Sequence, residues 1–193
     1  GVDLGNQIEF GQYSDHSVEM DVIVANSRYY LPFVSAGNDR SEDSSHNSGG
    51  YETISHFAVA KNVMVVGAVN DAVSAGSRYL PGASLTTFSS CGPCDDGRIK
   101  PDIVANGYRL YSTWDTADDH YDTISGTSMS SPNACGSAAL LVDYYDNLFP
   151  GQAMRASTLK GLIIHTADDL GRPGPDYQYG WGLMNTRGAT ELL

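Results

Sequence analysis

Positive charge is scarce in this chain, and long apolar segments are missing. The 193 residues contain 11 Lys and Arg against 23 Asp and Glu, so the formal net charge is −12 at pH 7. Such a chain repels the phosphates of nucleic acids, and we expect no nucleic-acid partner. No apolar run approaches the roughly 20 residues of a membrane-spanning helix, so we expect no membrane segment. A hydrophobic content of 41% with 21 Gly fits one soluble α/β domain.

Cysteine is too rare for a disulfide framework, since the only three are Cys91, Cys94 and Cys135. The segment CGPC at residues 91–94 has the spacing of a thioredoxin-like redox motif, which requires a helix that begins at the first Cys. Residues 95–97 read DDG, which favours a turn and brings the wrong charge for a thiolate. A disulfide that braces a loop and two idle thiols are the alternatives to a redox site. Cys135 is predicted to pack within a helix interface.

Residues 121–136 form the most informative stretch, which reads YDTISGTSMSSPNACG. Two β-branched residues precede a series of small residues, and small residues let a backbone or a substrate approach closely. After Gly126 the apolar spacing favours a buried helix with Thr127 as its N-cap. Ser128 then lies at a helix N-terminus, where free N–H groups favour developing negative charge. Its hydroxyl becomes a nucleophile when a base removes the proton, although an ordinary Ser/Thr-rich helix cap gives the same local pattern.

The string GTSMSSP, followed by Gly136, closely resembles the nucleophile motif of the subtilisin-like serine proteases, or subtilases. This resemblance places Ser128 at the position of the catalytic nucleophile and implies peptide-bond hydrolysis through an acyl-enzyme. The family usually has Ala where this chain has Ser130. Because one small residue replaces another there, the assignment of Ser128 stands.

A second segment, SAGND at residues 35–39, also resembles the family. The short apolar run at residues 30–36 favours a buried parallel strand, which places the Asn that follows it at the carboxyl edge of the sheet. The resemblance implies that the Asn38 amide stabilises the oxyanion, and that Ser35, Ala36 and Gly37 form the floor of the main specificity pocket. Taken alone, this segment is more typical of an ordinary Asn in a turn.

Further segments resemble the subtilase scaffold, so that the resemblance runs from about Ser35 to Ala189. They read AKNVMVVGA at residues 60–68, FSSCGP at 88–93, KPDI at 100–103 and GWGLMN at 180–185. The implied fold is the subtilisin-like three-layer α/β fold, in which a parallel sheet has helices on both faces. The local patterns predict strands at 30–36, 63–68 and 103–105, and helices at 15–28, after Gly126, at 155–167 and at the C-terminus.

The base and its orienting acid are not found where the family has them. In subtilases the chain order is Asp, His, Ser, and the His lies in an HGT segment before the oxyanion Asn. Only His16 precedes Asn38 here, no HGT surrounds it, and Asp3-Leu4-Gly5 matches the family's DxG segment only superficially. Neither segment is assigned a catalytic role. The other histidines, which are predicted to be structural or solvated, are His46, His56, His120 and His165.

We therefore expect residues 1–193 to be the C-terminal part of a longer subtilase catalytic domain and to be inactive alone. The alternative function is a non-catalytic pseudoprotease that binds protein, and the CGPC redox site is a third. A truncated parallel sheet exposes an edge strand, which favours self-association.

The resemblance also implies a peptide or protein substrate and an extracellular or cell-envelope location. No cofactor is expected. Four Asp within residues 115–122 allow a calcium site, but a solvated acidic loop is the favoured interpretation.

Overall fold

The computed structural model describes residues 10–41 and 49–193, in which one helix precedes a series of strands and three helices follow them. The helices of this part of the chain are α1 (Asp15–Ala25), α2 (Thr127–Leu148), α3 (Ala156–His165) and α4 (Thr186–Leu192). The strands are β1 (Phe33–Ser35), β2 (Met64–Val69), β3 (Val73–Ser74), β4 (Ser77–Arg78), β5 (Ile103–Asn106), β6 (Leu110–Thr113) and β7 (Tyr121–Ile124). Short 3₁₀ turns cover His56–Val59 and Leu80–Gly82.

A parallel sheet in the order β1-β2-β5 forms the centre of the fold. Its register pairs Phe33 with Met64 and Val66 with Ile103. All six residues of β2 are buried, which is the pattern of a central strand covered on both faces. The strands predicted at residues 63–68 and 103–105 are confirmed, with ends that differ by one residue.

The first strand is shorter than predicted, because β1 covers only three of residues 30–36. Pro32 has no N–H to donate to a neighbouring strand, although its carbonyl accepts the Met64 N–H at 2.9 Å. Tyr30 is 52% exposed and lies outside the core. Beyond the strand, the Ala36 N–H still donates to the Val66 carbonyl at 3.0 Å, so the chain follows the sheet up to Gly37.

Helices cover both faces of the sheet, as the three-layer fold requires. Neighbouring residues of a strand point to opposite faces, so Met64 and Val66 pack with α2, α3 and α4 while Val65 packs with α1. The small side chains of Ala134 and Ala138 let α2 lie close to the sheet. Three of the four residues that the spacing places on the apolar side of α3 are buried, namely Leu159, Leu162 and Ile163, whereas Ala167 follows the helix and is half-buried. The predicted C-terminal helix is confirmed as α4.

The helix α1 buries a different face from the one that its apolar spacing predicts. Its apolar residues Val18, Val22 and Ile23 are 42%, 55% and 53% exposed. The buried residues are Ser17, Asp21 and Val24. Asp21 tolerates burial because its carboxylate accepts the N–H groups of Lys61 at 3.0 Å and Asn62 at 2.8 Å. Burial alone would raise the pKa of Asp21, but these hydrogen bonds outweigh it and hold the pKa below its ordinary value.

The ends of α1 also differ from the prediction. Ser14 occupies the N-cap position and Asp15 is the first helical residue, so the acidic side chain lies in the first turn rather than at the cap. The helix ends at Ala25, three residues before the predicted end at Arg28.

Two antiparallel hairpins complete the described fold. β3 pairs with β4, and β6 pairs with β7 through a register that places Leu110 opposite Ile124. The second hairpin leads directly into α2, and so it delivers residues 125–128 to the edge of the parallel sheet. Among the described helices, none combines the length and the apolar character that a membrane crossing needs.

Candidate active site

The start of α2 is held at the carboxyl edge of the parallel sheet by Gly107, which follows β5. The Gly107 N–H donates to the Val69 carbonyl at 3.1 Å, and the Gly107 carbonyl accepts the Gly126 N–H at 2.8 Å. A Cβ on Gly107 would lie 2.6 Å from the Ala68 Cβ and 2.8 Å from the Gly126 carbonyl oxygen. Only glycine therefore allows the end of β2 and the start of α2 to approach this closely. The result is that Ser128 lies at the edge where parallel α/β proteins place their sites.

Thr127 does not cap α2, contrary to the prediction. The N-cap position belongs to Gly126, and Thr127 is a fully buried first residue of the helix. Its N–H and its hydroxyl both donate to Asn38 Oδ1, at 3.0 Å and 3.1 Å. The same hydroxyl accepts the Gly37 N–H at 3.3 Å. Thr127 thus joins the nucleophile helix to the segment after β1 and fixes which end of the Asn38 amide faces outward.

Two hydrogen-bond donors remain beside the Ser128 hydroxyl. Among the described residues, none accepts a hydrogen bond from the Ser128 N–H or from Asn38 Nδ2, and both residues are exposed. A Cβ built on Gly126 would lie 3.7 Å from the Ser128 nitrogen and 3.8 Å from Asn38 Nδ2, so both donors border one small volume. The N-terminus of the 22-residue α2 adds its partial positive charge to this volume. Such a pair of donors can stabilise an oxyanion.

The segment Ser35–Gly37 lies directly beside these donors. Ala36 is 2% exposed, and Ser35 and Gly37 are half-buried. Gly37 has φ +110°, and a Cβ there would lie 2.7 Å from Ser90 Oγ, so a larger residue fits neither the backbone nor the space. Its carbonyl accepts the Ser90 N–H at 2.9 Å. The structure thus brings together Ser35, Ala36, Gly37, Asn38 and Ser128, although they lie about ninety residues apart in sequence.

Two residues outside the predicted set of site residues, Ser90 and Thr127, support this site. Ser90 Oγ accepts the Asp39 N–H at 3.0 Å and donates to Asp39 Oδ2 at 3.3 Å, which holds the turn after Asn38. Thr127 was taken for a cap, although it orients Asn38. The signal for both was present, since each lies within a motif, GTS or FSS, that was assigned to the nucleophile or to the scaffold as a whole.

No histidine of the described chain hydrogen-bonds to Ser128. His16 and His56 lie close to each other on α1 and the 3₁₀ turn, with ring centroids 6.2 Å apart. His120 hydrogen-bonds to Thr116 within the loop that joins β6 to β7, and His165 is the last residue of α3. The segment Asp3-Leu4-Gly5 and His46 lie outside the described residues.

The cysteines are free thiols, so the structure shows no loop-bracing disulfide. Burial raises the pKa of both Cys91 and Cys94, which opposes formation of a thiolate. Residues 91–94 are irregular, so the helix that a thioredoxin-like motif needs at its first Cys is not present. Cys135 is exposed on α2, and the prediction that it packs in an interface was wrong.

The acidic segment at residues 115–122 does not gather its carboxylates into one cluster. Asp115, Asp118, Asp119 and Asp122 are all exposed. Within residues 10–41 and 49–193 there is no group of three or more His, Cys, Asp or Glu that could hold a metal ion.

Comparison with known protein families agrees with this geometry. The model of the subtilase family matches residues 5–182, which is most of the chain. The chain belongs to the subtilase family. The match includes the Asn38 segment, the start of α2 and the scaffold strands between them.

Individual subtilases are similar to this chain in sequence or in structure, and the matched part of the chain differs from one relative to the next. Subtilisin DY from Bacillus licheniformis is 28% identical over 191 residues, which are 99% of this chain and 58% of that protein. A C5a peptidase from Streptococcus pyogenes is 42% identical over 102 residues, or 50% of this chain and 9% of that protein. The solved structure of the CspB protease from Clostridium perfringens covers 74% of this chain and 29% of its own, with a TM-score of 0.61 and 28% identity. The chain therefore spans less than two thirds of each of these proteins.

Proposed function

We propose that this subtilase chain supplies the nucleophile and the oxyanion hole of a serine endopeptidase. One observation carries the proposal, namely that the Ser128 N–H and Asn38 Nδ2 are free donors around one volume beside the exposed Ser128 hydroxyl. A base takes the proton from Ser128 Oγ while this oxygen attacks the carbonyl carbon of a peptide bond. The oxyanion accepts hydrogen bonds from both donors, the base returns its proton to the leaving amine, and water then hydrolyses the acyl-enzyme.

The proposed substrate is a peptide or protein chain that lies along the segment Ser35–Gly37. This segment directly precedes Asn38. A substrate side chain that packs on it would therefore belong to the substrate residue whose carbonyl oxygen lies near the Ser128 N–H and Asn38 Nδ2. The half-buried Ser35 and Gly37 and the fully buried Ala36 form a floor without charge. We assign these three residues to substrate binding. In keeping with this role, the proposed location of the complete protein is extracellular or at the cell envelope.

The base and its orienting acid are proposed to come from an N-terminal part of the same catalytic domain, so that residues 1–193 alone are inactive. The Ser128 hydroxyl makes no hydrogen bond with any described residue, which leaves room for an incoming imidazole. The helix α2 also carries an exposed apolar stripe at spacings of four residues, made of Leu140, Tyr144 and Leu148, which are 70%, 40% and 44% exposed. Such a stripe on the helix that begins at the nucleophile favours a covering partner, and without it the chain is expected to self-associate.

The kinetic effect of Asn38→Leu in the complete protein tests this function. Leu is close to Asn in size but donates no hydrogen bond, so it weakens binding of the oxyanion without filling the substrate floor. We expect kcat to fall by about 10²–10³ with little change in KM; this magnitude was measured in subtilisin, a member of the same family. The measurement is steady-state hydrolysis of a chromogenic peptide.

Two further variants make the test specific. Thr127→Val removes the hydroxyl that donates to Asn38 Oδ1 but keeps the backbone N–H, so its loss in kcat should be smaller than that of Asn38→Leu. Asn147→Leu is the matched control, because Asn147 is exposed on α2 and lies about 28 Å along the helix from Ser128. An Asn38→Leu protein with unchanged kcat would favour the alternative function, a pseudoprotease that binds protein without cleaving it.

A further inference from the structure

A pocket of about 630 Å³ lies between the end of α1 and the start of α3, away from the candidate active site. It opens at the amino-terminal ends of β1 and β2, since Leu31 and Asn62 line it and each lies two residues before its strand. Asn38 lies three residues after the carboxyl end of β1. The pocket is therefore at the opposite end of the sheet from Ser128, and its role does not depend on the proposed function.

The lining of this pocket is basic in a protein that is strongly acidic. Four of the 11 Lys and Arg residues line it, and none of its lining residues is Asp or Glu. The basic residues are Arg28, Lys61, Arg155 and Lys160. Two carboxylates contact the lining from outside: Asp21 accepts the Lys61 N–H at 3.0 Å, and Asp102 pairs with Lys160 Nζ at 3.1 Å. Positive charge remains in excess at this place, although the net charge of the chain is −12.

The excess positive charge comes from Arg28 and Arg155, whose backbones lie next to each other. The Ala156 N–H donates to the Arg28 carbonyl at 2.9 Å, which places the backbones of Arg28 and Arg155 next to each other. Neither guanidinium has an ion pair or a side-chain hydrogen bond with any described residue. Three other arginines of the described chain have carboxylate partners, in the pairs Arg78–Asp168, Arg98–Asp96 and Arg187–Glu191. Both residues are exposed and line the pocket, so each guanidinium group is available to donate charge-assisted hydrogen bonds to an anion.

The remaining lining combines the polar residues Ser27, Asn62 and Ser157 with an apolar surface, and this apolar surface limits the class of ligand. Val24 is 7% exposed at the edge of the core, and Leu31 and Ile164 are half-buried beside the basic residues. A hydrated inorganic ion would leave this surface unused, whereas an anion with a hydrocarbon body covers it. The volume also lies within the range of about 300–1,000 Å³ that is typical of small-ligand sites.

We propose that this pocket binds an organic anion in which a carboxylate or phosphate group is joined to an apolar body. Arg28 and Arg155 bind the anionic group, and Leu31 and Ile164 contact the hydrocarbon. The ligand can be a free organic acid or an acidic side chain beside an apolar residue of a peptide, because both present the same chemistry.

Isothermal titration calorimetry of the complete protein tests this site. Phenyl phosphate and benzoate should bind, benzyl alcohol should not, and inorganic phosphate should bind at least tenfold more weakly than phenyl phosphate. Arg28→Gln and Arg155→Gln should each weaken phenyl phosphate binding by about tenfold or more, since each removes a charge-assisted hydrogen bond. Arg172→Gln is the matched control, because it makes the same change in charge at an exposed arginine outside the pocket. Added NaCl should weaken binding to the wild-type chain.

The results of these titrations show whether the anion comes from a peptide or from a free acid, and they show whether the proposed site is wrong. If acetyl-Glu-Leu-amide binds as tightly as benzoate, the ligand is a peptide. If benzoate binds and acetyl-Glu-Leu-amide does not, the ligand is a free organic acid. Equal affinities in Arg28→Gln, Arg155→Gln and the wild type would overturn the site. Equal binding of benzyl alcohol and benzoate would overturn it as well, and this comparison needs no variant.

Discussion

Ser128→Ala in the complete protein is expected to lower kcat for peptide hydrolysis by about 10⁶. In subtilisin, a member of the same family, loss of the nucleophile costs about 2 × 10⁶, and what remains comes from the oxyanion hole and substrate binding. The same donors remain after this substitution, because Asn38 is held by the backbone N–H and the hydroxyl of Thr127. The variant should therefore still bind substrate, with a dissociation constant close to the KM of the wild type. Burst and steady-state hydrolysis of an ester substrate measure the loss.

Ser130→Ala is the matched control within the same motif. Ser130 is buried in the first turn of α2, where its hydroxyl donates to the Thr127 carbonyl at 3.0 Å, and it has no contact with the two oxyanion donors. The resemblance to the family also indicates that Ala is acceptable there. Equal losses in Ser128→Ala and Ser130→Ala would mean that the start of α2 matters for folding rather than for chemistry, and would contradict the assignment of Ser128.

Asp102→Asn is expected to lower the free energy of unfolding by about 3–5 kcal/mol, because it leaves a buried ammonium group without its counter-charge. Lys100 is 2% exposed, and its Nζ lies 2.7 Å from Asp102 Oδ2. Burial lowers the pKa of Lys100, while the Asp102 carboxylate acts in the opposite direction. The same carboxylate accepts the Val65 N–H at 2.7 Å, so it also joins β5 to the central strand of the sheet.

Urea denaturation of the chain, followed by circular dichroism, measures this effect. Asp96→Asn provides a matched control, since Asp96 pairs with Arg98 at 2.7 Å but its side chain is 48% exposed. An exposed pair contributes less than about 1 kcal/mol, so this variant should unfold close to the wild type. Similar stabilities of Asp102→Asn and Asp96→Asn would show that the buried pair is not a main contributor to the stability of the sheet.

The parts of the fold that the sequence predicts are those in which apolar periodicity and packing agree. The strand β2 is a continuous apolar segment because both of its faces are buried, and α2 buries Ala134, Ala138 and Leu141 at the predicted helical spacing. The approach of Ser35–Gly37 to Ser128 was predictable only from the family motifs. Thr127 lies within the GTS motif, but the motif alone does not indicate that this side chain joins the two segments.

The predictions of burial that were wrong concern polar residues that are buried and apolar residues that are exposed. Asp21 can be buried because backbone N–H groups of a distant segment donate hydrogen bonds to its carboxylate. The apolar periodicity of α1 predicts that such a charged residue is exposed. Val22 is apolar yet 55% exposed, so the assumption that apolar residues face the core misplaced the face of α1. Cys135, predicted to pack because it replaces a small residue in the helix, is instead exposed on α2.

Fluorophosphonate labelling, with the modified residue located by mass spectrometry, tests the central claim most directly. It compares the full-length natural gene product with residues 1–193 alone. We expect the full-length protein to be labelled on Ser128, because a base is then present, and the isolated chain to remain unlabelled under the same conditions. Labelling of Ser128 in the isolated chain at a similar rate would contradict the proposed origin of the base. A folded full-length protein that resists labelling would contradict the assignment of Ser128 as a catalytic nucleophile.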